Sequence, residues 1–395
     1  MFNLKAGNQS LLKKNNQKVL LDYIIENGAT SRADLSKHLK ISKPTISSSV
    51  AELEQREILK EIGVTVTEVG KRPMLYDVNY DIKYVMALDF ISYITKNIVA
   101  IAVCNLAFEI IFTDTIKLDE NYSADYLMEE LPDILLNTLQ KNKVSLEKIE
   151  AVVITAPTAL YNQESVKFSC KTGESVNLVP IIKQTFNKKI IVKNDINLAA
   201  LGEKFFGVGK QSQNLIFIWA GLAVGGGIIL DGKIYEGFSS GGGEIAYNTV
   251  FDEISQEYVF LKDVLSMQGI RKYISYYEEE AKKSQIAEKL FSNKLTLDDI
   301  ITAAHEKDAF CNSFGKYVAT KVSAIISNLS STIDLQMAIV GGEYSRFGHV
   351  FIDEIINRIE LLPITNTQVT TPMYSNSAMY GAFKVGTDYV IRNLI

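Results

Sequence analysis

Cysteine, histidine and long apolar runs are all scarce in this chain of 395 residues, and each scarcity removes a class of function. The three cysteines, Cys104, Cys170 and Cys311, lie far apart and form no C-x-x-C pair. Dithiol redox chemistry and zinc ribbons are therefore excluded, and the thiols read as buried groups in a reducing compartment. The three histidines, His38, His305 and His349, are scattered, so their spacing suggests neither a metal site nor a catalytic triad. No uncharged apolar run reaches the ~18 residues of a membrane span. The first residues lack the charged-then-apolar pattern of an export signal. The expectation is a soluble, cytoplasmic protein with no membrane partner.

What is present is length and an uneven charge. A chain of this size exceeds what one core usually serves and predicts two or three domains. The formal net charge of -5 argues against a general polyanion binder, but it is not evenly spread. Residues 1–80 hold 12 Lys/Arg against 9 Asp/Glu, and the remainder 29 against 37. A mildly basic head sits on an acidic body.

In the head, Val19, Leu20, Tyr23 and Ile24 recur at helical spacing over residues 16–26, and Asn27-Gly28 supplies a stop. Ser31 is suited to cap a second helix with Leu35 and Leu39 inside. Ser42 caps a third, with Pro44 in the first turn and Ile46, Val50 and Leu53 inward. Lys43, Thr45, Ser47, Ser48 and Ser49 are assigned to its outer face, the small polar surface that a recognition helix needs to enter a major groove. Residues 61–69 and 74–78 read as a hairpin whose turn, Gly70-Lys71-Arg72-Pro73, is a basic-tipped wing. The head is thus predicted to be a winged helix-turn-helix that binds duplex DNA through Ser42, Lys43, Thr45, Ser47, Ser48, Lys71 and Arg72. The alternative is a packing unit that touches no DNA.

From residue 81 the pattern changes to strands alternating with helices. Strands are predicted over 84–90, 98–103, 108–115, 149–155 and 190–193, with helices over 123–141, 180–187 and 197–206. A second unit begins with strand 215–220, a Gly-rich turn and strand 227–230. Mostly helical sequence follows over 252–288, with helices over 297–307 and 308–329, strand 336–340, and helices over 350–360 and 378–393. Both units open on a strand meander, which suggests two related α/β lobes around a cleft.

These residues also carry a family resemblance. The winged helix-turn-helix, Val192-Lys193-Asn194-Asp195-Ile196-Asn197, the Gly-rich segment 220–227, Gly243-Glu244-Ile245-Ala246-Tyr247, Gly341-Gly342 and Met379-Tyr380-Gly381-Ala382 together resemble the ROK family of repressors and sugar kinases over nearly the whole chain. The resemblance implies a winged helix-turn-helix over 1–80 and two actin-like α/β lobes over 81–200 and 201–395. The final helix is expected to pack back on the first lobe. It implies a sugar or sugar derivative in the cleft, bound by Asn194, Asp195 and Glu244, with Tyr247, Lys262 and Pro157 beside it. In the kinases the Asp is a general base; in a sensor it need only accept a hydrogen bond.

Departures from the family pattern narrow the reading. Tyr247 stands where the family has a zinc-ligating His, and the segment Thr249 to Ser266 contains no Cys. No metal is therefore expected. The family's first phosphate turn, D-x-G-G-T, reads Asp89-Phe90-Ile91-Ser92-Tyr93, and its second, G-T-G-x-G-G-G, reads Gly221-Leu222-Ala223-Val224-Gly225-Gly226-Gly227. With both altered, no nucleotide cofactor and no catalytic residue are expected. The remaining glycines could simply shape a turn. Lys262, in a register matching a sugar-binding Glu, suggests an anionic ligand. The expectation is a sugar-responsive repressor that binds operator DNA as a homodimer, or a dimer of dimers. The alternatives are an ATP-dependent sugar kinase with an appended DNA-binding domain, and a cleft that serves only assembly.

Overall fold

The computed structural model describes residues 9–64, 73–90, 98–119, 122–156, 167–169, 173–363 and 366–395. Lys71, Arg72, Pro157 and Cys170 lie outside these described residues, as does most of the first phosphate-type turn.

The head is built from α1 (Gln9–Asn27), α2 (Arg32–Leu39) and α3 (Lys43–Gln55), followed by a small antiparallel sheet. Gly28, at φ +79°, ends α1 and donates its N–H to the Ile24 carbonyl at 2.8 Å. The Ser31 hydroxyl accepts from the Asp34 N–H at the start of α2, and Ser42 accepts from Thr45 at the start of α3. Strands β1 (Thr30–Ser31), β2 (Leu59–Val64) and β3 (Met74–Val78) pair in the order β1-β3-β2. Two expectations are corrected by one residue of helical phase. The buried stripe of α1 is Gln17, Leu20, Leu21 and Ile24, which leaves Val19 47% exposed. That of α3 is Ile46, Ser49, Val50 and Leu53, so Ser49 belongs to the core side rather than to the outer face.

The body contains two five-stranded sheets of the same topology. In the first, β4 (Tyr84–Asp89), β5 (Ile98–Asn105) and β6 (Ile110–Lys117) form an antiparallel meander. Strands β7 (Ile149–Ala156) and β10 (Lys189–Asn194) add in parallel on the other side of β4, giving the order β10-β7-β4-β5-β6. The short pair β8 (Lys167–Ser169) and β9 (Ser175–Asn177) lies apart from it. In the second sheet, β11 (Leu215–Ala220), β12 (Val224–Leu230) and β13 (Lys233–Ile234) are the meander, and β16 (Met337–Gly341) and β17 (Gln368–Thr370) are the parallel pair. Helices α4 (Ala124–Lys141) and α5 (Leu178–Phe186) cover one face of the first sheet.

Each sheet sends its last parallel strand into a helix that enters the space between them: α6 (Asp195–Phe205) after β10, and, near the end of the chain, the helix Ser377–Asn393 after β17. These two helices share one apolar cluster with both sheets, drawing on Val85, Ala87 and Val153 from one side and Phe217, Ile229 and Ile339 from the other. Their crossing is too close for side chains. A Cβ on Gly202 would strike the Ser377 carbonyl, and one on Gly381 the Leu198 carbonyl. The fully buried Glu203 carboxylate accepts from Ser377 Oγ at 2.6 Å and from the Met373 and Val208 N–H groups, pinning one helix to the entry of the other.

The segment expected to be helical from residue 252 opens instead with a hairpin, β14 (Thr249–Asp252) and β15 (Glu257–Phe260). It turns at Gln256 in the left-handed region, φ +58°. Short helices α7 (Leu261–Leu265), α8 (Met267–Tyr276), α9 (Glu278–Ala281) and α10 (Ala287–Leu290) follow, then α11 (Leu297–His305), α12 (Ala309–Ile333) and α13 (His349–Ile359). The closing helix Ser377–Asn393 is α14. No described helix is long and apolar enough to cross a membrane.

Candidate functional site

The start of α3 presents its polar residues outward. Ser42, Lys43 and Ser48 are exposed and Thr45 and Ser47 half-buried. Ser42 is partly committed to the helix itself, because its hydroxyl caps α3 and lies 2.7 Å from Thr45 Oγ1. Lys43, Ser47 and Ser48 therefore remain the outer groups best placed to meet a groove, with Pro44 fixing the first turn that carries them.

In the body, the carboxyl ends of the parallel strands β4, β7 and β10 converge where α6 and α14 begin, the position at which open α/β sheets form sites. Asn194 is the N-cap of α6, its Oδ1 accepting from the Ile196 and Asn197 N–H groups at 3.0 Å. Asp195 opens the helix and is only 9% exposed. Burial pushes its carboxyl up to about 7, and the neighbouring charges of Asp89 and Glu244 push the same way against the Ile196 N–H bond that favours ionisation. Near neutrality this group can thus both donate and accept a hydrogen bond.

Glycine brings Glu244 to Asp195. Strand β12, expected from Gly227, begins at Val224, so Gly225 and Gly226 lie in the strand and not in the turn before it. A Cβ on Gly227 would approach the Ile196 carbonyl to 2.6 Å, and one on Gly226 the Gly243 carbonyl to 3.0 Å. The Gly226 N–H donates to the same Gly243 carbonyl at 2.9 Å. The glycine run thus lets α6 and the Gly243-Glu244 turn close on β12 from both sides.

Asp89 is the residue that the sequence left as a remnant of a phosphate turn. It is buried, its Oδ1 accepting from Thr155 Oγ1 at 2.8 Å and its Oδ2 from the Asn376 amide at 3.1 Å. Asn376 caps α14 as Asn194 caps α6. That symmetry was available as a signal: each Asn closes the segment after the last parallel strand of its sheet. Asp89, Thr155 and Lys193 occupy matched register positions on β4, β7 and β10, so they lie in a row on one face of the sheet.

Tyr247 and Lys262 form a separate group. Tyr247, 59% exposed, meets Phe260 edge to face at 5.8 Å, and the Lys262 ammonium lies over both rings while pairing with Asp263 at 2.8 Å. The Lys262 charge is thus shared among an adjacent carboxylate and two exposed rings. The zinc of the family pattern does not fit these residues. An exposed phenol replaces imidazole, and the hairpin that should supply thiolates is organised around Asp252. This buried carboxylate accepts from Lys272 Nζ and Tyr317 Oη at 2.8 Å and from Ser255 Oγ at 2.6 Å. Burial pushes its carboxyl up, but these bonds outweigh it and hold it well below the usual range. Lys321 on α12 adds a bond to the Phe251 carbonyl and an ion pair with Glu253. Among the described residues, no group of three His, Cys, Asp or Glu is arranged to hold a metal.

The turn Gly221-Leu222-Ala223, in the place of the second phosphate loop, faces Glu343. A Cβ on Gly221 would collide with that carboxylate, whose Oε2 is buried.

A winged helix with a small polar outer face, on a body of two like sheets, defines a DNA-binding head joined to a sugar-kinase-like fold. The chain belongs to the ROK family, whose profile matches residues 96–386, and a winged helix-turn-helix DNA-binding profile matches residues 14–60. It is 27% identical over 370 residues to the xylose repressor of Caldicellulosiruptor bescii, covering 89% of this chain and 90% of that one. It is 25% identical over 382 residues to the xylose repressor of Bacillus subtilis, covering 91% and 93%. The fold matches the crystal structure of a ROK family transcriptional regulator, a homolog of the E. coli MLC protein, with a TM-score of 0.75 and 21% identity over 97% of this chain and 98% of that one.

Proposed function

We propose that this protein is a transcriptional repressor that answers to an uncharged sugar held between Asn194, Asp195 and Glu244. The observation that carries the reading is the buried Asp195 beside the two further carboxylates Asp89 and Glu244, a setting that favours hydroxyl groups and repels phosphate. The DNA partner is duplex operator, met by α3 and by the wing bearing Lys71 and Arg72. Two heads in a homodimer would read half-sites about one helical turn apart. A sugar alters that geometry only through unequal affinity for the two arrangements. The names of the xylose repressors make D-xylose the first candidate.

The second reading, an ATP-dependent sugar kinase, is favoured by Asp195, since a carboxyl titrating near 7 suits a general base. Opposing it, the Glu343 carboxylate sits against Gly221 where transferable phosphate would approach, adding repulsion to the altered phosphate turns.

Thermal unfolding with D-xylose, D-glucose and their phosphates tests the first reading, because a true ligand raises the midpoint. An uncharged sugar should raise it and its phosphate should not. A phosphate-selective shift overturns the ligand class, and sugar-dependent ATP turnover lost in Asp195→Asn overturns the repressor-only reading.

A further inference from the structure

Lys193 stands at the end of the sheet row that holds Asp89 and Thr155. It immediately precedes Asn194-Asp195, and its ammonium lies 2.6 Å from Glu236 Oε1. Glu236 belongs to the other sheet's lobe, two residues beyond β13. Its carbonyl accepts from the Gly242 N–H at 2.9 Å, closing the neck of a loop whose next residues are Gly243 and Glu244. Gly237 turns at φ +73°, Gly242 has room for no Cβ beneath the Tyr235 carbonyl, and Phe238 is fully exposed at the loop's tip. Other ion pairs of the body, such as Lys83–Glu150, Lys272–Asp252 and Arg346–Asp298, stay within one lobe. Among the described residues, Lys193–Glu236 is the ion pair that crosses from one sheet's lobe to the other.

We propose that Lys193 and Glu236 form a clasp across the cleft, which holds the Glu244 loop against β10 and must part for a ligand to pass between Asp195 and Glu244. The pair joins the strand that delivers Asp195 to the loop that delivers Glu244, so its parting separates the two carboxylates directly. With side chains 24% and 40% exposed, the pair is accessible to salt and of modest strength, as a reversible closure requires. A much stronger bond would trap the cleft shut. The clasp relies on the proposed function only for its purpose; its existence is decided on ligand-free protein.

Hydrogen exchange on the full chain, without sugar or DNA, tests it. Lys193→Glu and Glu236→Lys should each speed exchange of the Ile196, Asn197 and Gly242 amides about threefold to tenfold. The charge-swapped double variant should return them toward the wild-type rate, and ~0.5 M KCl should mimic the single changes. Amides of α12 report that the fold is intact. The clasp is refuted if either single change leaves the three amides at the wild-type rate, or if the swap restores nothing while α12 exchanges normally. A failure of sugar to shift the melting point would sink the functional reading without touching this result.

Discussion

Asp195 is placed against its own solvation. A carboxyl titrating near 7 in the folded chain and near ~3.9 in the unfolded one binds its proton more tightly when folded. Its favourable contribution is full below about pH 4 and disappears as pH rises through 7, so above neutrality the ionised form strains the fold. Asp195→Asn removes that strain. It is expected to raise stability at pH 8 by up to a few kcal/mol, and the melting temperature with it, with little change at pH 4. Sugar response should be lost in the same variant. Melting curves at the two pH values check this, and an unchanged midpoint at pH 8 counts against a desolvated carboxyl. Asn194-Asp195 was legible as a turn from strand into helix, since Asn is a capping residue type and the two are adjacent in the chain. Asp89 with Asn376 was not, since the two are 287 positions apart and only the sheet and helix ends bring them together. At Lys262, register alone shows neither the adjacent Asp263 nor the two aromatic rings that meet its charge.

Elements were legible where one period governed. The strands of the first sheet, the three longest of the second and the long helices follow from apolar patterning, and the caps Ser31 and Ser42 from residue type at a helix start; the short edge strands β13 and β17 carry too few residues to show a period. The β14–β15 hairpin escaped because its exposed face carries Phe251, Tyr258 and Phe260, apolar residues that mimic a buried helix stripe. The hairpin is held by polar bonds: Asp252 gathers Lys272 from α8, Tyr317 from α12 and its own Ser255. Asp252→Ala would strand the Tyr317 hydroxyl and the Lys272 charge. The expected loss is roughly 3 kcal/mol, read from denaturant titration. Asp252→Asn, which retains an acceptor, should lose less. Equal losses would show that the side chain merely fills space. Because the folded carboxyl is held below its unfolded value, this stabilisation is present above about pH 4 and fades as acid protonates it.

At the scale of the molecule, two copies of one sheet plan meet through α6 and α14, and α14 does not stop there. Its first turn reaches Asp89 through Asn376. Beyond its last turn Leu394 and Ile395, with Ile391, pack on the core of the head beside Tyr80 and Ile82, and Arg56 donates to the Leu394 carbonyl. Sequence periodicity predicted α14 and the family resemblance its return to the first lobe, but a helix pattern does not reveal what its far end touches. Deleting residues 391–395 should loosen that seam while leaving the head's own core of Leu20, Leu35, Ile46 and Val50 intact. Calorimetry is expected to show the head melting as a separate, earlier transition, whereas a single unchanged transition would show the seam to be energetically silent. The seam also bears on domain grafting. A foreign winged helix spliced at residue 80 would inherit Ile391, Leu394 and Ile395 as a ready-made socket but bring no matching plug. Such a chimera would read its own DNA with a head hinged freely on the body, deaf to whatever the body senses, unless the graft also carried the counterparts of Arg56 and the residues that meet that socket.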